Sequence, residues 1–570
     1  MRYQALACDY DGTIATHGRV DEQTVAALQR LKASGRRLLL VTGRQLDDLR
    51  AVGPDFTLFD RIVGENGAVL HDPRARETRD LAPPPSEALV RELTGRGVTP
   101  LSVGRCIIAT WEPHQTAALE AIRDLGVELN VIFNKGAVMI LPSGINKATG
   151  LAAALDDLGL SPHNAVGVGD AENDHAFLAA CECSVAVANA LPSLKERVDH
   201  VTRGDHGAGV AELVDRILAN DLAELEPALG RRLLTLSRTE HDEPFTIRPY
   251  GESVLIAGPS GVGKSTISRA LIEQITACAY QYCVIDPEGD YQDLDGAVSL
   301  SGPDARTLVD EAMQLLSSSP EQNVVLNLMD IRIEDRPPFF QHALPVIQQL
   351  YARTGRPHWL VVDEAHHLLP ADWQPVGQFV PESLGSVLMI TVHPEHMSPR
   401  VRGQIRTLIA LGTDVGAEAA AFGDGRADLD TAAPPPPATP GRWACVFQPG
   451  TSPRWIRIPE AQEDRQRHRR KYAEGELGRD KSFYFRGPEG RLRLRAHNLA
   501  MFSQVAEGID DETWLFHLQR GDYSQWFRGA IKDDSLAAVV EAIERDAALS
   551  AADSRQRIRE AIEERYTSPA

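Results

Sequence analysis

The sequence has little of several features that would define a particular class of protein. It contains only 7 cysteines in 570 residues, an odd number scattered along the chain, which fits reduced thiols better than a disulfide framework. No stretch approaches the roughly 18 apolar residues of a membrane span. The first residues run into a strand-like pattern and not into a charged and then apolar leader. We therefore expect a cytoplasmic protein without a membrane partner.

Positive charge is also scarce relative to negative charge. Lys and Arg number 59 against 80 Asp and Glu, which gives a formal net charge of −21. This balance argues against a chain that coats nucleic acid over its whole surface, although it allows a local basic groove. Nucleic acid is therefore an alternative partner and not the favoured one. The length predicts roughly two to four domains.

Strand-like apolar runs alternate with helical stretches in two successive blocks, which predicts parallel sheets covered on both faces. We expect an α/β chain with a Rossmann-like first domain at residues 1–222 and a second α/β domain at residues 241–460. A helical connector is expected at 223–240, and 461–570 reads as a mostly helical region without a recognised role. Within the first domain, about 84–143 reads helix, two strands, helix, two strands, which suggests a small αββαββ insertion.

The first chemical signal is D-Y-D-G-T at Asp9–Thr13, directly after the first predicted strand. Open α/β sheets place their ligands at such strand ends. A carboxylate such as Asp9 can attack phosphorus and split hydrolysis into two easier displacements. A second carboxylate, Asp11, can protonate the leaving alkoxide and then activate water. The pattern indicates phosphomonoester hydrolysis.

Both steps bring anions together, so the site needs cations. We expect Mg²⁺ bound by Asp9 and Asp170, with Lys147 as a second cation. Thr42 and Gly43 end another predicted strand in V-T-G-R, and they offer a hydroxyl and backbone N–H groups to the phosphoryl oxygens.

These motifs, in this order, resemble those of the haloacid dehalogenase superfamily of phosphohydrolases, and the resemblance covers roughly residues 1–220. It implies Asp9 as nucleophile, Asp11 as acid and base, and Thr42 and Lys147 as phosphate-binding residues. From G-D-A-E-N-D at Gly169–Asp174 it adds residues that would support the metal and the phosphate. The metal candidates are Asp9, Asp11, Asp170 and Asp174, and Asn173 is a phosphate-binding candidate.

The αββαββ insertion resembles the cap of the Cof-like members, subclass IIB. Those enzymes mostly hydrolyse sugar phosphates, phosphoglycolate and related small organic phosphates. A cap excludes water and selects the substrate. Candidates for that selection are Arg105, Trp111 and Lys135, and for Trp111 plain packing is the favoured interpretation.

The second signal is a glycine-rich string that follows a predicted strand and precedes a predicted helix, the context of a P-loop. Backbone N–H groups would cradle the phosphates of ATP, Lys264 would reach the outer ones, and Ser265 would bind Mg²⁺. The apolar strand of W-L-V-V-D-E-A-H supplies Asp363 near the metal and Glu364 beside the attacking water. The ATP-binding candidates are Gly258, Pro259, Ser260, Gly261, Val262, Gly263, Lys264, Ser265 and Thr266.

The second block resembles the HerA/FtsK-type ATPases over about residues 235–460. The resemblance rests on V-I-D-P-E-G-D-Y at Val284–Tyr291, on the D-E-A-H motif, and on the segment after Thr391. This last segment departs from the family, with Val392 and His393 where Gln and Arg are frequent. The resemblance implies a homo-oligomer, with a hexameric ring expected, in which an arginine completes the neighbouring site. The candidates are Arg353, Arg356, Arg400, Arg402 and Arg406.

The C-terminal region mixes basic residues, including Arg465, Arg467, Arg469, Arg470 and Lys471, with aromatic residues at positions 472 and 483–485. Such a mixture can hold phosphate backbones and stack bases, but a solvated surface with inward aromatics is the favoured interpretation. Trp514, Phe516, Trp526 and Phe527 have the spacing of an apolar helical face and are expected to pack in a core.

Three functional hypotheses follow. The leading one is a Mg²⁺-dependent hydrolase of a small, sugar-phosphate-like organic phosphate, coupled to an oligomerising ATPase domain. The first alternative is a nucleic-acid end-processing phosphatase with an ATPase or kinase domain. The second is a ring scaffold that ATP switches. The long separation between Lys264 and Asp363 favours an ATPase over a small kinase, and Glu364 argues against a site that only binds ATP.

Overall fold

The computed structural model describes residues 1–134, 136–373, 385–423, 429–432, 434–437, 442–458, 477, 481–488, 490, 492, 494–531, 533–546 and 548–566. The chain forms two compact units. The first comprises Met1–Leu233 with the short segments Ser317–Glu321 and Gln349–Arg356, and the second comprises the rest. The predicted α/β fold class is confirmed.

The first unit is built on an eight-stranded sheet in the order β12-β11-β10-β1-β2-β3-β4-β5. Its strands pair in parallel except β3 with β4 and β4 with β5, which pair in antiparallel, so β4 alone runs opposite to the other strands. Strand β1 is buried along its whole length because helices cover both faces of such a sheet. The strands are β1 (Ala5–Cys8), β2 (Arg37–Val41), β3 (Arg61–Gly64), β4 (Val69–Asp72), β5 (Glu77–Asp80), β10 (Ala165–Gly169), β11 (Cys183–Ala186) and β12 (His200–Val201).

The helices around this sheet carry their apolar residues inward, and their core includes Leu28, Leu31, Leu151 and Leu213. They are α1 (Glu22–Ala33), α2 (Leu46–Val52), α5 (Lys147–Asp157), α6 (His175–Ala180), α7 (Pro192–Lys195) and α8 (His206–Asn220).

The predicted αββαββ insertion is present in the first unit, with a separate four-stranded sheet in the order β6-β7-β9-β8. Leu89, Leu93 and Ile140 belong to its own small core. Its elements are α3 (Glu87–Gly95), β6 (Ser102–Val103), β7 (Ile108–Trp111), α4 (Gln115–Leu125), β8 (Leu129–Asn134) and β9 (Ala137–Pro142).

The connector predicted as a helix at 223–240 has a different structure. It forms two short 3-10 turns, at Ala223–Ala228 and Gly230–Arg232, followed by strand β13 (Leu234–Arg238). This strand pairs with β14 (Pro244–Ile247) in an antiparallel hairpin. In L-T-L-S-R, Leu234 and Leu236 are buried and alternate with polar residues, which is the period of a strand and not of a helix.

The second unit contains a nine-stranded sheet in the order β17-β18-β16-β19-β20-β15-β21-β22-β23. The pairings are parallel except β21 with β22 and β22 with β23, so β22 alone runs opposite to the other strands. The last two strands extend this sheet at one edge through antiparallel pairing. The strands are β15 (Ser253–Ala257), β16 (Tyr282–Asp286), β17 (Ala297–Ser301), β18 (Asn323–Asn327), β19 (Trp359–Val362), β20 (Ser386–Thr391), β21 (Thr407–Leu411), β22 (Trp443–Phe447) and β23 (Arg454–Arg457).

The helices of this α/β part follow or precede these strands, as in a doubly wound fold. They are α9 (Lys264–Ala277), α10 (Ala305–Ser318), α11 (Arg336–Thr354), α12 (Ala365–Leu368), α13 (Pro399–Arg402) and α14 (Val415–Gly423).

The C-terminal part of the second unit is mostly helical, as predicted, with a small hairpin of β24 (Phe483–Phe485) and β25 (Leu494–Ala496). Trp514 and Phe527 are fully buried and Trp526 nearly so in its aromatic core, as expected, whereas Phe516 lies at intermediate depth. Phe483 and Phe485 point into the same core, and the basic run at 465–471 lies outside the described residues. The helices are α15 (Leu499–Gly508), α16 (Asp511–Arg520), α17 (Asp522–Gly529), α18 (Asp534–Glu544) and α19 (Ala551–Tyr566).

Throughout the described part of the chain, no helix has both the length and the apolar character needed to cross a membrane.

Candidate functional site

The first candidate site lies at the carboxyl edge of three neighbouring strands of the first sheet. Asp9 follows β1, Thr42 follows β2 and Asp170 follows β10, and β1 pairs with both other strands. Parallel strands end at the same edge, so this topology brings together residues that are far apart in sequence. All three side chains are buried.

Lys147 is the cation at the centre of this site. It begins α5 and is almost completely buried, with its Nζ 2.5 Å from Oδ1 of Asp9 and 2.6 Å from Oδ1 of Asp174. Burial alone would lower the pKa of Lys147, but the Asp174 and Asp9 carboxylates raise it above its ordinary value. The ammonium therefore stays charged and holds the two carboxylates in fixed positions.

Asp174 also fixes the loop that carries Asp170. Its Oδ2 accepts hydrogen bonds from the backbone N–H groups of Asp170, at 2.8 Å, and of Ala171, at 2.9 Å. Gly169 must lack a side chain here, because a Cβ would come within 2.6 Å of that oxygen. The G-D-x-x-x-D spacing thus brings the Asp174 carboxylate back onto the backbone of Asp170 and Ala171.

Oxygen atoms of Asp9, Asp170 and Asp174 lie within 4.8 Å of one another, and all three residues are buried. Burial and the Asp174 and Asp170 carboxylates, opposed by the Lys147 ammonium, together raise the pKa of Asp9 to about 7. Three buried carboxylates beside one ammonium carry excess negative charge, and a divalent cation with oxygen ligands would offset it. The residues present therefore fit Mg²⁺.

Asp11 lies outside this carboxylate cluster. Arg44 holds it in a two-pronged ion pair, with Nε–Oδ2 at 2.6 Å and Nη2–Oδ1 at 2.7 Å. In this arrangement Asp11 is therefore not among the carboxylates that could hold a metal, although it was predicted as a ligand. Arg44 was overlooked in the sequence, although it stands in V-T-G-R directly after Thr42 and Gly43.

Asn173 and Gly43 meet at Asn66, a second residue that the motifs did not identify. Nδ2 of Asn173 donates to Oδ1 of Asn66 at 3.0 Å, and a Cβ on Gly43 would lie 3.3 Å from that oxygen. Asn66 has a positive φ of 53°. Its side chain also contacts Met139 on cap strand β9. This contact places a cap residue beside the predicted phosphate-binding residues.

The three cap candidates differ in their surroundings. Arg105 forms a two-pronged pair with Asp80, at 2.6 and 2.9 Å. Trp111 is 54% exposed, so the expectation that it packs in a core is wrong. It is the last residue of strand β7, and strand periodicity alone does not determine whether such a terminal residue is buried. Lys135 lies outside the described residues.

Glu65 joins the core domain to the cap. Its carboxylate accepts backbone hydrogen bonds from Arg105, Cys106 and Ile107, at 2.9, 2.8 and 3.1 Å. Glu65 is buried and has a φ of 49°. Three N–H donors on one carboxylate fix the position of the loop before β7.

The second candidate site lies in the other unit, at the carboxyl edge of β15. The P-loop leaves this strand at Gly258, whose φ is 149° and where a Cβ would come within 2.4 Å of the carbonyl oxygen of Leu411. Only glycine fits this turn. Nζ of Lys264 lies 2.8 Å from the carbonyl oxygens of both Gly258 and Pro259, so its ammonium is held inside the loop. Ser265 is exposed at the mouth.

Asp363 and Glu364 follow β19, which is separated from β15 by β20. Burial raises the pKa of Asp363 well above its ordinary value, and the carboxylates of Glu364 and Asp290 add to this effect. Such a group needs a cation nearby to stay ionised, which fits its predicted place beside Mg²⁺. Glu364 has a left-handed backbone with a φ of 42°, at the start of α12.

His366 links Glu364 to the end of β20. Its Nδ1 lies 3.0 Å from Oγ1 of Thr391 and 3.4 Å from Oε2 of Glu364. Burial lowers the pKa of His366 to about 3, with the imidazoles of His367 and His393 contributing, so the ring is neutral at neutral pH. The sequence identified His366 only as part of the D-E-A-H motif.

The V-I-D-P-E-G-D-Y segment is a tight loop around one carboxylate. Asp286 accepts four backbone hydrogen bonds, from Glu288, Gly289, Asp290 and Tyr291, at 2.7–3.2 Å. The buried hydroxyl of Tyr291 then lies 2.7 Å from Oγ of Ser268 on α9. The motif therefore holds the P-loop helix, and Lys481 from the C-terminal part of the same unit pairs with Glu288.

The arginine candidates separate clearly by burial. Arg356 is fully buried and donates to the carbonyl oxygens of Gly159 and Ser319, so it cannot reach a neighbouring subunit from this position. Arg402 donates to the carbonyl oxygen of Ala421. The exposed candidates are Arg353, Arg400 and Arg406. Arg442, which the sequence did not single out, donates to the P-loop carbonyl of Val262 at 2.6 Å.

Parts of both units match known protein families. Residues 6–91 and 102–214 match the family described as haloacid dehalogenase-like hydrolase, and residues 238–355 match the central domain of helicase HerA. A phosphoglycolate phosphatase of Methanothermobacter thermautotrophicus is 33% identical over 226 residues, which are 38% of this chain and 99% of that protein. Phosphoglycolate phosphatase 2 of Saccharolobus solfataricus is 27% identical over 225 residues, covering 38% and 94% respectively.

Solved structures resemble the same part of the chain. A haloacid dehalogenase-like hydrolase from Bacteroides thetaiotaomicron covers 38% of this chain and 99% of its own length, at 20% identity and a TM-score of 0.32. With its nucleophile motif, lysine and paired carboxylates assembled at one sheet edge, and with a HerA-like domain following, the chain belongs to the haloacid dehalogenase-like hydrolase family.

Proposed function

We propose that the first unit is a Mg²⁺-dependent phosphatase of a small organic phosphate, with phosphoglycolate as the first candidate substrate. The observation that carries this proposal is Lys147, buried between Asp9 and Asp174 at the sheet edge where the phosphoryl group would sit. Two relatives that share this unit are named phosphoglycolate phosphatases. The cap supports a small substrate, since caps of this kind enclose the site and exclude water.

Each residue has a role that its surroundings support. Asp9 attacks phosphorus with a carboxylate oxygen, and Lys147 offsets the charge that develops on the phosphoryl group. Mg²⁺ held by Asp9, Asp170 and Asp174 would supply further positive charge at the same oxygens. Thr42 and the backbone at Gly43 would bind phosphoryl oxygens.

Asp11 needs to change partner during the reaction. Arg44 occupies both oxygens of the Asp11 carboxylate, whereas a general acid must present one of them to the leaving alkoxide. Arg44 is a suitable partner for an incoming phosphate, because guanidinium groups bind its oxygens in the same two-pronged way. We infer that substrate takes Arg44 from Asp11. Asp11 then takes up a proton from solvent and gives it to the leaving alkoxide, and it later accepts a proton from the attacking water.

A substrate screen tests this proposal. Phosphate release should be fastest with phosphoglycolate or another small organic phosphate, with a kcat/KM at least about ten-fold above that for DNA carrying 3′- or 5′-phosphates. Chelation of divalent cations should abolish release, and added Mg²⁺ should restore it. Asp47→Asn, at a carboxylate that is 94% exposed in the same unit, serves as the control and should behave as wild type. A marked preference for DNA ends would instead support the end-processing alternative.

The second unit, we propose, binds and hydrolyses ATP with Mg²⁺. Lys264 already lies inside the P-loop, Asp363 and Glu364 stand at the end of β19, and the match to the HerA central domain covers residues 238–355. ATP phosphates would replace the loop carbonyls as partners of Lys264. Glu364 would orient and polarise the attacking water.

We also propose that the protein forms a homo-oligomeric ring, with six copies as the family expectation. The support is that Arg353, Arg400 and Arg406 are exposed and can face a neighbouring copy. One heterologous interface, repeated until it closes, generates such a ring.

Light scattering in the presence of ATP should therefore give a mass several times 62.3 kDa. Replacing the arginine that acts in trans, among Arg353, Arg400 and Arg406, by Ala should lower ATP turnover. Mixing that variant with inactive Lys264→Ala subunits should restore part of the turnover, because the Lys264→Ala subunits still supply the arginine to a neighbour with an intact P-loop. Brisk hydrolysis by a stable monomer would contradict the ring and favour a solitary switch or kinase.

A further inference from the structure

Four histidines gather at the end of β20, beside the ATP site but outside the chemistry proposed for it. The ring of His366 lies 4.1 Å from that of His367 and 5.5 Å from that of His393, and His393 lies 4.7 Å from His396, between centroids. His393 occupies a position where the resemblance to HerA/FtsK proteins leads one to expect a different residue. ATP hydrolysis does not account for this cluster.

The exposed part of the cluster has the composition of a metal site. His393, Glu395 and His396 each offer one ligand atom, and these atoms lie within 4.8 Å of one another. Nδ1 of His393 is 3.0 Å, and Nε2 of His396 is 3.8 Å, from Oε1 of Glu395. Ligands of a tetrahedral zinc ion stand about 3.4 Å apart, given zinc–ligand distances of about 2.1 Å. Small side-chain movements would therefore suffice.

The local backbone favours this convergence. Pro394–His396 form one 3-10 turn, and Pro394 is buried, which anchors the turn at the strand end. The side chains of His393, Glu395 and His396 are 50, 49 and 64% exposed, so an ion can reach them and retain water.

We propose that His393, Glu395 and His396 bind a divalent transition-metal ion of the zinc class. Two imidazoles and one carboxylate suit zinc or cobalt, whereas Mg²⁺ and Ca²⁺ prefer oxygen ligands throughout. Water, or a group from a partner molecule, completes the coordination. The ion would lie one histidine ring away from Glu364, since the His366 ring contacts His393 and its Nδ1 lies 3.4 Å from Oε2 of Glu364.

Calorimetric titration of the full chain with Zn²⁺, in excess Mg²⁺ to fill the oxygen sites, tests the proposal. The variants His393→Ala and His396→Ala should each lose one zinc site, or bind at that site about a hundred-fold more weakly. His241→Ala provides a matched control, because His241 is also exposed and lies beside a glutamate, Glu240. Its titration should equal that of wild type.

Cobalt gives an independent readout, since four-coordinate Co²⁺ absorbs visible light and would report nitrogen ligation directly. The Co²⁺ band should appear in wild type and vanish in His396→Ala. Glu395→Gln, nearly isosteric and exposed, guards against a folding defect and should also weaken zinc binding, with an unchanged thermal transition. Equal zinc stoichiometry and affinity in wild type and all variants would overturn the proposal, as would the absence of any saturable zinc site.

Discussion

Replacing Asp9 by Asn is expected to lower phosphatase activity about a thousand-fold or more, because the amide cannot form the covalent phosphoryl intermediate. The substitution is nearly isosteric, and Lys147 keeps Asp174 as a partner at 2.6 Å. The fold should therefore survive, with little change in the thermal transition. ATP hydrolysis should stay within about two-fold of wild type, since Asp9 belongs to the first unit and the P-loop to the second.

Phosphate release from phosphoglycolate and from ATP, measured on the same preparation, checks this result. Asp47→Asn controls for the loss of one negative charge from the first unit. Residual phosphatase activity near the wild-type rate would show that Asp9 is not the nucleophile. In that case the cluster of Asp9, Asp170 and Asp174 would serve only to bind a cation.

Replacing Lys264 by Ala is expected to reduce ATP turnover about a hundred-fold or more, because the outer phosphates lose their principal cation. Arg332→Ala removes an exposed cation from the same unit and serves as the matched control. It should leave ATP turnover unchanged. Phosphatase activity with saturating substrate should persist in both variants. A steady-state assay of phosphate release from ATP is sufficient to measure this difference.

Glu364→Gln should separate binding from hydrolysis in the same site. Water activation fails, so turnover falls about a hundred-fold, while the P-loop and Lys264 still hold the nucleotide. Bound ATP should therefore accumulate, and a filter-binding assay would detect it. Glu334→Gln, at a side chain that is 66% exposed, controls for the change of charge. Normal turnover in Glu364→Gln would mean that another residue activates the water.

The sequence was sufficient to predict the α/β fold class and the convergence of the first site's candidate residues at one sheet edge. Asp9, Asp170 and Lys147 stand at spaced motifs, and parallel strand order alone brings such positions to one sheet edge. The P-loop was equally clear, because its glycines lie between a strand and a helix, and Gly258 indeed needs a backbone that only glycine adopts freely.

The features that the sequence could not predict are side-chain contacts between residues that lie far apart along the chain. The ion pair between Asp11 and Arg44 joins two strand ends, and the three hydrogen bonds on Glu65 join the core domain to the cap. Neither of these contacts produces a periodic or local pattern in the sequence. The connector at 223–240 was misassigned because Leu225, Leu229 and Leu233 have helical spacing, although the leucines that follow them alternate as in a strand. Trp111 was misassigned because aromatic residues are usually, but not always, buried.

The central claim is that one chain carries two separate phosphate-cleaving sites. The most direct test measures phosphate release from phosphoglycolate and from ATP in wild type, Asp9→Asn, Lys264→Ala and the double variant. We predict that each single variant loses one activity and retains the other, and that the double variant loses both. Loss of both activities in either single variant, with the thermal transition unchanged, would contradict the claim and show that the two sites act as one catalytic unit.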